Sequence, residues 1–170
     1  MKSQVRMEEH PTYAVAPKSI AELNEAEDTI IEQAKSICLS RLKIFSHSFT
    51  SPERVKDYLI LELANLEAER FDVLFLNNQN KLIEHVPMFY GTIDGASVYP
   101  REVVKKGLAL NAAAIILAHN HPSGSMEPSQ ADKQITNKIK DAMNLMEIRT
   151  LDHLIVAGKD TYSFAEHGLL

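Results

Sequence analysis

Residues 112–121 read AAAIILAHNH, an apolar run that ends in two histidines one residue apart. Nothing in it alternates polar with apolar. It therefore predicts a strand buried on both faces, as found inside a sheet covered by helices. Histidines at i and i+2 of an extended chain project to the same side. Both imidazoles then stand at the C-terminal end of a buried strand, where α/β folds place their sites. Ser123-Gly124-Ser125 supplies a turn, and a helix over 129–146 follows, with Ser129 and Asp132 in its first turn. Two further strands, 148–158 and 161–168, turn at Gly158-Lys159-Asp160.

Upstream of the central run, a helix opens at Pro100 and ends near Asn111. Before it, FDVLFLN (71–77) and KLIEHVPMFYG (81–91) form a hairpin about the turn NNQN, and Pro87 makes the second arm an edge or bulged strand. Thr50-Ser51-Pro52-Glu53 combines a hydroxyl cap, a first-turn proline and a glutamate, so a helix starts there and runs to about Leu66. Ile20, Leu23, Ile30, Ile31, Ala34, Ile37, Cys38 and Leu42 recur at helical spacing, which predicts an amphipathic packing helix from Ser19. Residues 1–18, with Pro11 and Pro17 and no apolar period, read as a loosely held arm. The expected fold is α/β, a mixed β-sheet flanked by helices with an N-terminal helical extension. Residues 1–50 would be the arm and amphipathic helix, and 51–170 the main domain.

Composition narrows the function classes. The chain has 170 residues, 18 Lys plus Arg against 23 Asp plus Glu, and a net charge of −5. That balance gives no electrostatic case for nucleic acid. No apolar run approaches the roughly 18 residues of a membrane span, and MKSQVRMEEH lacks the apolar core of a secretory signal. Cys38 is the only cysteine, which excludes an internal disulfide framework and a Cys-rich zinc site. A cytoplasmic home is expected.

The chemistry concentrates in His119, His121 and Asp132. Two nitrogens and one carboxylate oxygen suit Zn²⁺, with a fourth position left for water, which is a catalytic and not a closed structural arrangement. A duller account competes. Ser129 and Asp132 are also spaced as a helix N-cap hydroxyl and its N3 carboxylate, and a His-x-His pair alone is common.

His119-Asn120-His121-Pro122, six residues, then Ser129-Gln130-Ala131-Asp132 resemble the JAMM signature of MPN-type zinc metallopeptidases. GTIDGASVYPREVVKKGLALNAAAIILAHNHPSG, then EPSQAD, DHLIV and SFAEHGLL, look like the RadC family over about residues 51–170. The resemblance implies a JAMM/MPN-like fold with His119, His121 and Asp132 as zinc ligands. It implies Ser129 as the group that orients water or stabilises the oxyanion. It also implies an upstream glutamate as general base, two residues before the phenylalanine that opens the first core strand. Glu69 fits that position, and Glu67 is the fallback. His153 in LDHLIV either supports a ligand or is a satisfied core histidine. Longer RadC relatives carry a helix-hairpin-helix module whose hairpin needs glycine near phosphate. With no glycine before Gly91, this chain is expected to be the short form lacking it.

The expected activity is a zinc-dependent metallopeptidase or isopeptidase acting on an unknown peptide or protein. The first alternative is a metal-dependent DNA-processing enzyme, for which Arg101, Lys105 and Lys106 form the notable basic cluster. The second is a non-catalytic interaction domain. A cytidine deaminase is excluded, because it needs H-x-E and P-C-x-x-C. The edge strand and the N-terminal helix permit a homodimer.

Overall fold

A computed structural model describes residues 20–44, 52–91 and 98–170, with side chains from residue 25 to 38 in the first of these segments. The elements run α1 (Ile20–Ile44), α2 (Pro52–Leu63), β1 (Arg70–Leu76), β2 (Leu82–Tyr90), α3 (Pro100–Ala109), β3 (Ala114–Asn120), α4 (Gln130–Asn144), β4 (Arg149–Ala157) and β5 (Asp160–Ser163). The arm expected over 1–18 and the hydroxyl cap expected at 50–51 lie outside the described residues.

The strands form one mixed sheet in the order β2-β1-β3-β4-β5. Only β3 and β4 pair in parallel, and α4 provides the crossover that a parallel pair requires. The central run behaves as its pattern demands, since every residue of β3 is buried. Its even-numbered side chains join Leu59, Leu63, Leu74, Leu154 and Val156 beneath α2, with Cys38 of α1 packed alongside. Its odd-numbered side chains join Val73, Phe75, Val103, Ile139 and Met143 beneath α3 and α4. Each leucine-sized side chain so buried contributes about 1.5–3 kcal/mol, and the two cores clamp the sheet from both sides.

Pro87 lies on β2, the edge strand. The register with β1 shifts beside it, from Phe71↔Phe89 to Asp72↔Pro87, so the missing N–H disturbs no interior ladder. The last strand is shorter than its apolar pattern suggests: it stops at Ser163, not at residue 168. Side chains capture the next donors, with Ala165 N bonding Asp152 Oδ1 at 3.0 Å and Glu166 N bonding Ser163 Oγ at 3.1 Å. Helix α2 likewise ends at Leu63, three residues before the expected Leu66. No helix among the described residues is long and apolar enough to cross a membrane.

Candidate metal centre

Alternation along β3 carries the odd-numbered face from Ile115 and Leu117 to His119, which arrives beside the first turn of α4. His121 lies one residue past the strand, and its backbone N–H bonds Val156 O at 2.9 Å, continuing the pairing with β4. The chain then turns through Gly124, whose φ of +76° favours glycine. That turn brings Ser125 O to 2.7 Å from His121 Nδ1, which donates to it. Nε2 of His121 is left facing inward, towards His119 and Asp132.

Helix α4 supplies the carboxylate. Ser129 Oγ accepts from Asp132 N at 3.1 Å, and Asp132 Oδ2 accepts from Ser129 N at 2.7 Å, a reciprocal capping box. Helix termination thus accounts for Ser129 Oγ and for one oxygen of Asp132. It does not account for the other. Asp132 Oδ1 is buried and accepts no hydrogen bond among the described residues, although His119 Nε2 is 3.3 Å away. His119 Nε2 and His121 Nε2 are 3.0 Å apart, and His121 Nε2 is 3.6 Å from Asp132 Oδ2.

Donors about 2.1 Å from a tetrahedral zinc stand roughly 3.4 Å from one another. His119 Nε2 is 3.0 Å from His121 Nε2 and 3.3 Å from Asp132 Oδ1, near that value, while His121 Nε2 is 3.6 Å from the other oxygen, Oδ2. One ligand atom from each of the three residues falls within 4.8 Å of the others. The donor set and its orphaned oxygen fit Zn²⁺ with one position open.

Burial would raise the Asp132 carboxyl, but His119 and His121, with the Ser129 contact, outweigh it and hold the group well below the usual carboxylate range. Asp132 raises His121 above its usual value against the cost of partial burial, with help from the Ser125 carbonyl and from Glu69. His119 and Asp132 are each only 1% exposed, whereas Ser129 stands exposed at the mouth.

Glu69 precedes β1, which pairs Phe71 with His119, so the antiparallel register leads it back towards His121. It is half-buried and its charge acts on His121, while Glu67 is exposed. Asn120, between the two histidines but facing the other way, holds this segment. Its Oδ1 accepts from Arg70 N at 2.8 Å, and its Nδ2 donates to Ala68 O at 3.1 Å and Leu66 O at 3.4 Å. Sequence reasoning passed over Asn120, although alternation in H-N-H already places its side chain on the opposite face.

His153 is fully buried, with Nε2 2.8 Å from His119 Nδ1 and Nδ1 2.6 Å from Thr136 Oγ1. Burial drives its imidazole well below the usual value, so the ring is neutral. Thr136 had one available signal, its position one helical turn after Asp132. The cations of α3 are all engaged: Arg101 and Lys105 with Glu102 at 3.1 and 4.0 Å, and Lys106 with Glu84 at 3.0 Å.

Residues 49–169 match the family described as RadC-like JAB domain. The chain belongs to that family. Among its relatives, the UPF0758 protein YfjY of Escherichia coli is 51% identical over 140 residues, 82% of this chain and 88% of that one. A UPF0758 protein of Vibrio cholerae is 52% identical over 144 residues, 85% and 90% of the two chains. The UPF0758 protein PSHAa2643 of Pseudoalteromonas translucida is 59% identical over 122 residues, which are 72% of this chain and 54% of that longer one. These names state no activity. The family match covers the whole sheet and every residue of the His119, His121 and Asp132 cluster.

Proposed function

We propose that this RadC-like JAB domain is a zinc-dependent hydrolase of amide bonds, acting on a peptide or an isopeptide-linked protein. One observation carries the reading: Asp132 Oδ1 is buried with no hydrogen-bond partner among the described residues, 3.3 Å from His119 Nε2, which itself lies 3.0 Å from His121 Nε2. Leaving a buried acceptor unpaired costs about 1–3 kcal/mol, more for a charged group. A capping carboxylate alone gives no return for that cost, and a cation shared with the imidazoles does.

His119, His121 and Asp132 would hold the ion. When bound, Zn²⁺ supplies a Lewis acid for the scissile carbonyl and lowers the pKa of water towards neutrality. Glu69, beside His121, takes the proton of the attacking water and delivers it to the leaving amine. Ser129 Oγ accepts from Asp132 N, and that contact does not use its own hydrogen. The hydroxyl can therefore donate to the oxyanion that develops at the mouth of the site. The reading as a nucleic-acid enzyme has less support, because Arg101, Lys105 and Lys106 already face acidic partners.

Zinc titration and a cleavage panel test this together. The protein should bind one Zn²⁺ per chain, and His119→Ala and Asp132→Ala should abolish binding. Glu69→Gln should keep the metal and lose cleavage across a panel of peptides and isopeptides. No zinc uptake at micromolar free metal would end the reading.

A further inference from the structure

In this fold the two ligand histidines reach their working tautomers by different routes. His121 donates Nδ1–H to the Ser125 carbonyl, a loop acceptor. His119 sits inside β3, between β1 and β4, where backbone carbonyls are engaged in the ladders. A side-chain acceptor is needed there, and His153 on β4 occupies that position.

We infer that Thr136 and His153 are positioning residues that form a polarised relay, locking His119 in its Nδ1–H tautomer so that the Nε2 lone pair faces the metal position. The relay has one fixed end. The Asp132 backbone carbonyl can only accept, and Thr136 Oγ1 donates to it at 2.5 Å. A hydroxyl has one hydrogen, so towards His153 Nδ1, 2.6 Å away, Thr136 Oγ1 must accept. His153 therefore carries its proton on Nδ1. His153 is fully buried against Phe164 and Phe71, and among the described residues its ring bonds only Thr136 and His119, so no carboxylate balances a second ring proton. Nε2 is therefore bare, and at 2.8 Å it accepts from His119 Nδ1–H. His119 Nε2 then has no hydrogen and points at Asp132 and His121.

The reverse polarity fails at that same end. It would turn the Thr136 hydrogen to His153 Nδ1 and leave two oxygens 2.5 Å apart with no proton between them. That separation is at the short limit of hydrogen-bonded O–H···O contacts. The relay thus begins on the backbone of one ligand, Asp132, and ends on the ring of another. Aromatic rings keep water from it: Phe164 stacks on His153 at 4.7 Å, and Phe71 stacks on His119 at 6.1 Å and meets His153 edge-on at 5.5 Å.

The inference rests on the metal reading of the site, though not on hydrolysis. Its primary test is long-range ¹H–¹⁵N NMR of the imidazoles in the zinc-free full chain. His119 and His153 should both carry their ring hydrogen on Nδ1; an Nε2–H signal at His119 would overturn the relay. The second test is zinc affinity by chelator competition, with circular dichroism confirming the fold. His153→Leu and Thr136→Val should weaken binding about 10- to 100-fold, the usual loss when a ligand's hydrogen-bond partner is removed. Thr136→Ser and His153→Gln, which restore the hydroxyl and an acceptor, should recover most of it. A folded Thr136→Val variant with unchanged affinity would also overturn the relay. If Thr136→Val does not fold, the tautomers of the wild type decide. Should the wild type show both Nδ1–H tautomers but take up no zinc, the relay stands and the hydrolase reading falls.

Discussion

His121 and Asp132 titrate in opposite directions, and the signs fix how the site responds to pH. His121 is raised above its usual 6.5. In the zinc-free protein its contribution to stability is complete below that unfolded value and is lost as pH rises through the raised one. Asp132 is depressed, so its contribution is present above the ordinary carboxylate value of about 3.9 and is lost only as pH falls through the lowered one. Zinc must displace the His121 proton. Apparent zinc affinity should therefore reach a plateau above the raised His121 value and fall about tenfold per pH unit below it, as expected for one released proton. Calorimetry in buffers of different ionisation enthalpy reads that proton directly; pH-independent affinity from 5 to 8 would show that His121 is not a ligand. The residues of this cluster were legible in the sequence because H-x-H and S-x-x-D are short-range spacings. Thr136 was not, and His153 stayed open between supporting a ligand and filling the core, since 17 positions separate the two and only the fold joins them.

At the level of elements, two joints set the site, and each separates structure from chemistry. The first is the α4 N-terminus, where Ser129 both caps the helix and faces the mouth. Ser129→Ala should cost about 1 kcal/mol of stability as well as activity. Ser129→Gly should cost only a few tenths of a kcal/mol, since glycine is tolerated at caps, yet lose activity equally. Thermal melts beside peptide turnover distinguish these roles, and full turnover by the glycine variant would remove Ser129 from catalysis. The second joint is Asn120, which ties the end of β3 to the segment 66–70. Asn120→Ala should lower stability by about 1–3 kcal/mol through unpaired backbone groups and speed amide exchange at Arg70. It should keep one zinc per chain. Turnover should fall by up to roughly 100-fold, the scale set by a 1 Å misplacement of a reacting group, because Glu69 rides on that segment. The mixed sheet and its buried centre were readable from the unalternating run at 112–121. The end of β5 was not, because its apolar pattern runs on after the side chains of Asp152 and Ser163 have taken the backbone donors.

Across the whole molecule, the candidate centre joins parts that the two hydrophobic cores hold only by packing. Helix α4 rests on one face of the sheet through Ile139 and Met143, and its first turn meets the end of β3 through Asp132 and His119. The opposite face has its own buried polar brace. Tyr58 OH lies 2.7 Å from His85 Nδ1, His85 Nε2 donates to Asp72 Oδ2 at 2.7 Å, and Arg70 grips Asp72 at 2.8 Å through both Nε and Nη2. That brace is complete, with Asp72 fully buried and both oxygens paired, so it has no need of an ion. The contrast locates the instability. Zinc-free protein should be weakest where α4 meets β3, because Asp132 Oδ1 lacks a partner there. An ion that binds only the folded state adds about 2.7 kcal/mol at a hundred times its Kd. For a chain of this length each kcal/mol moves Tm by about 2–4 °C, so zinc should raise Tm by about 5–11 °C. His119→Ala should show no such rise. Hydrogen exchange should place the gain in α4 and the end of β3, with α2 and β2 little changed. Equal protection of both faces would mean that zinc acts elsewhere than at this joint.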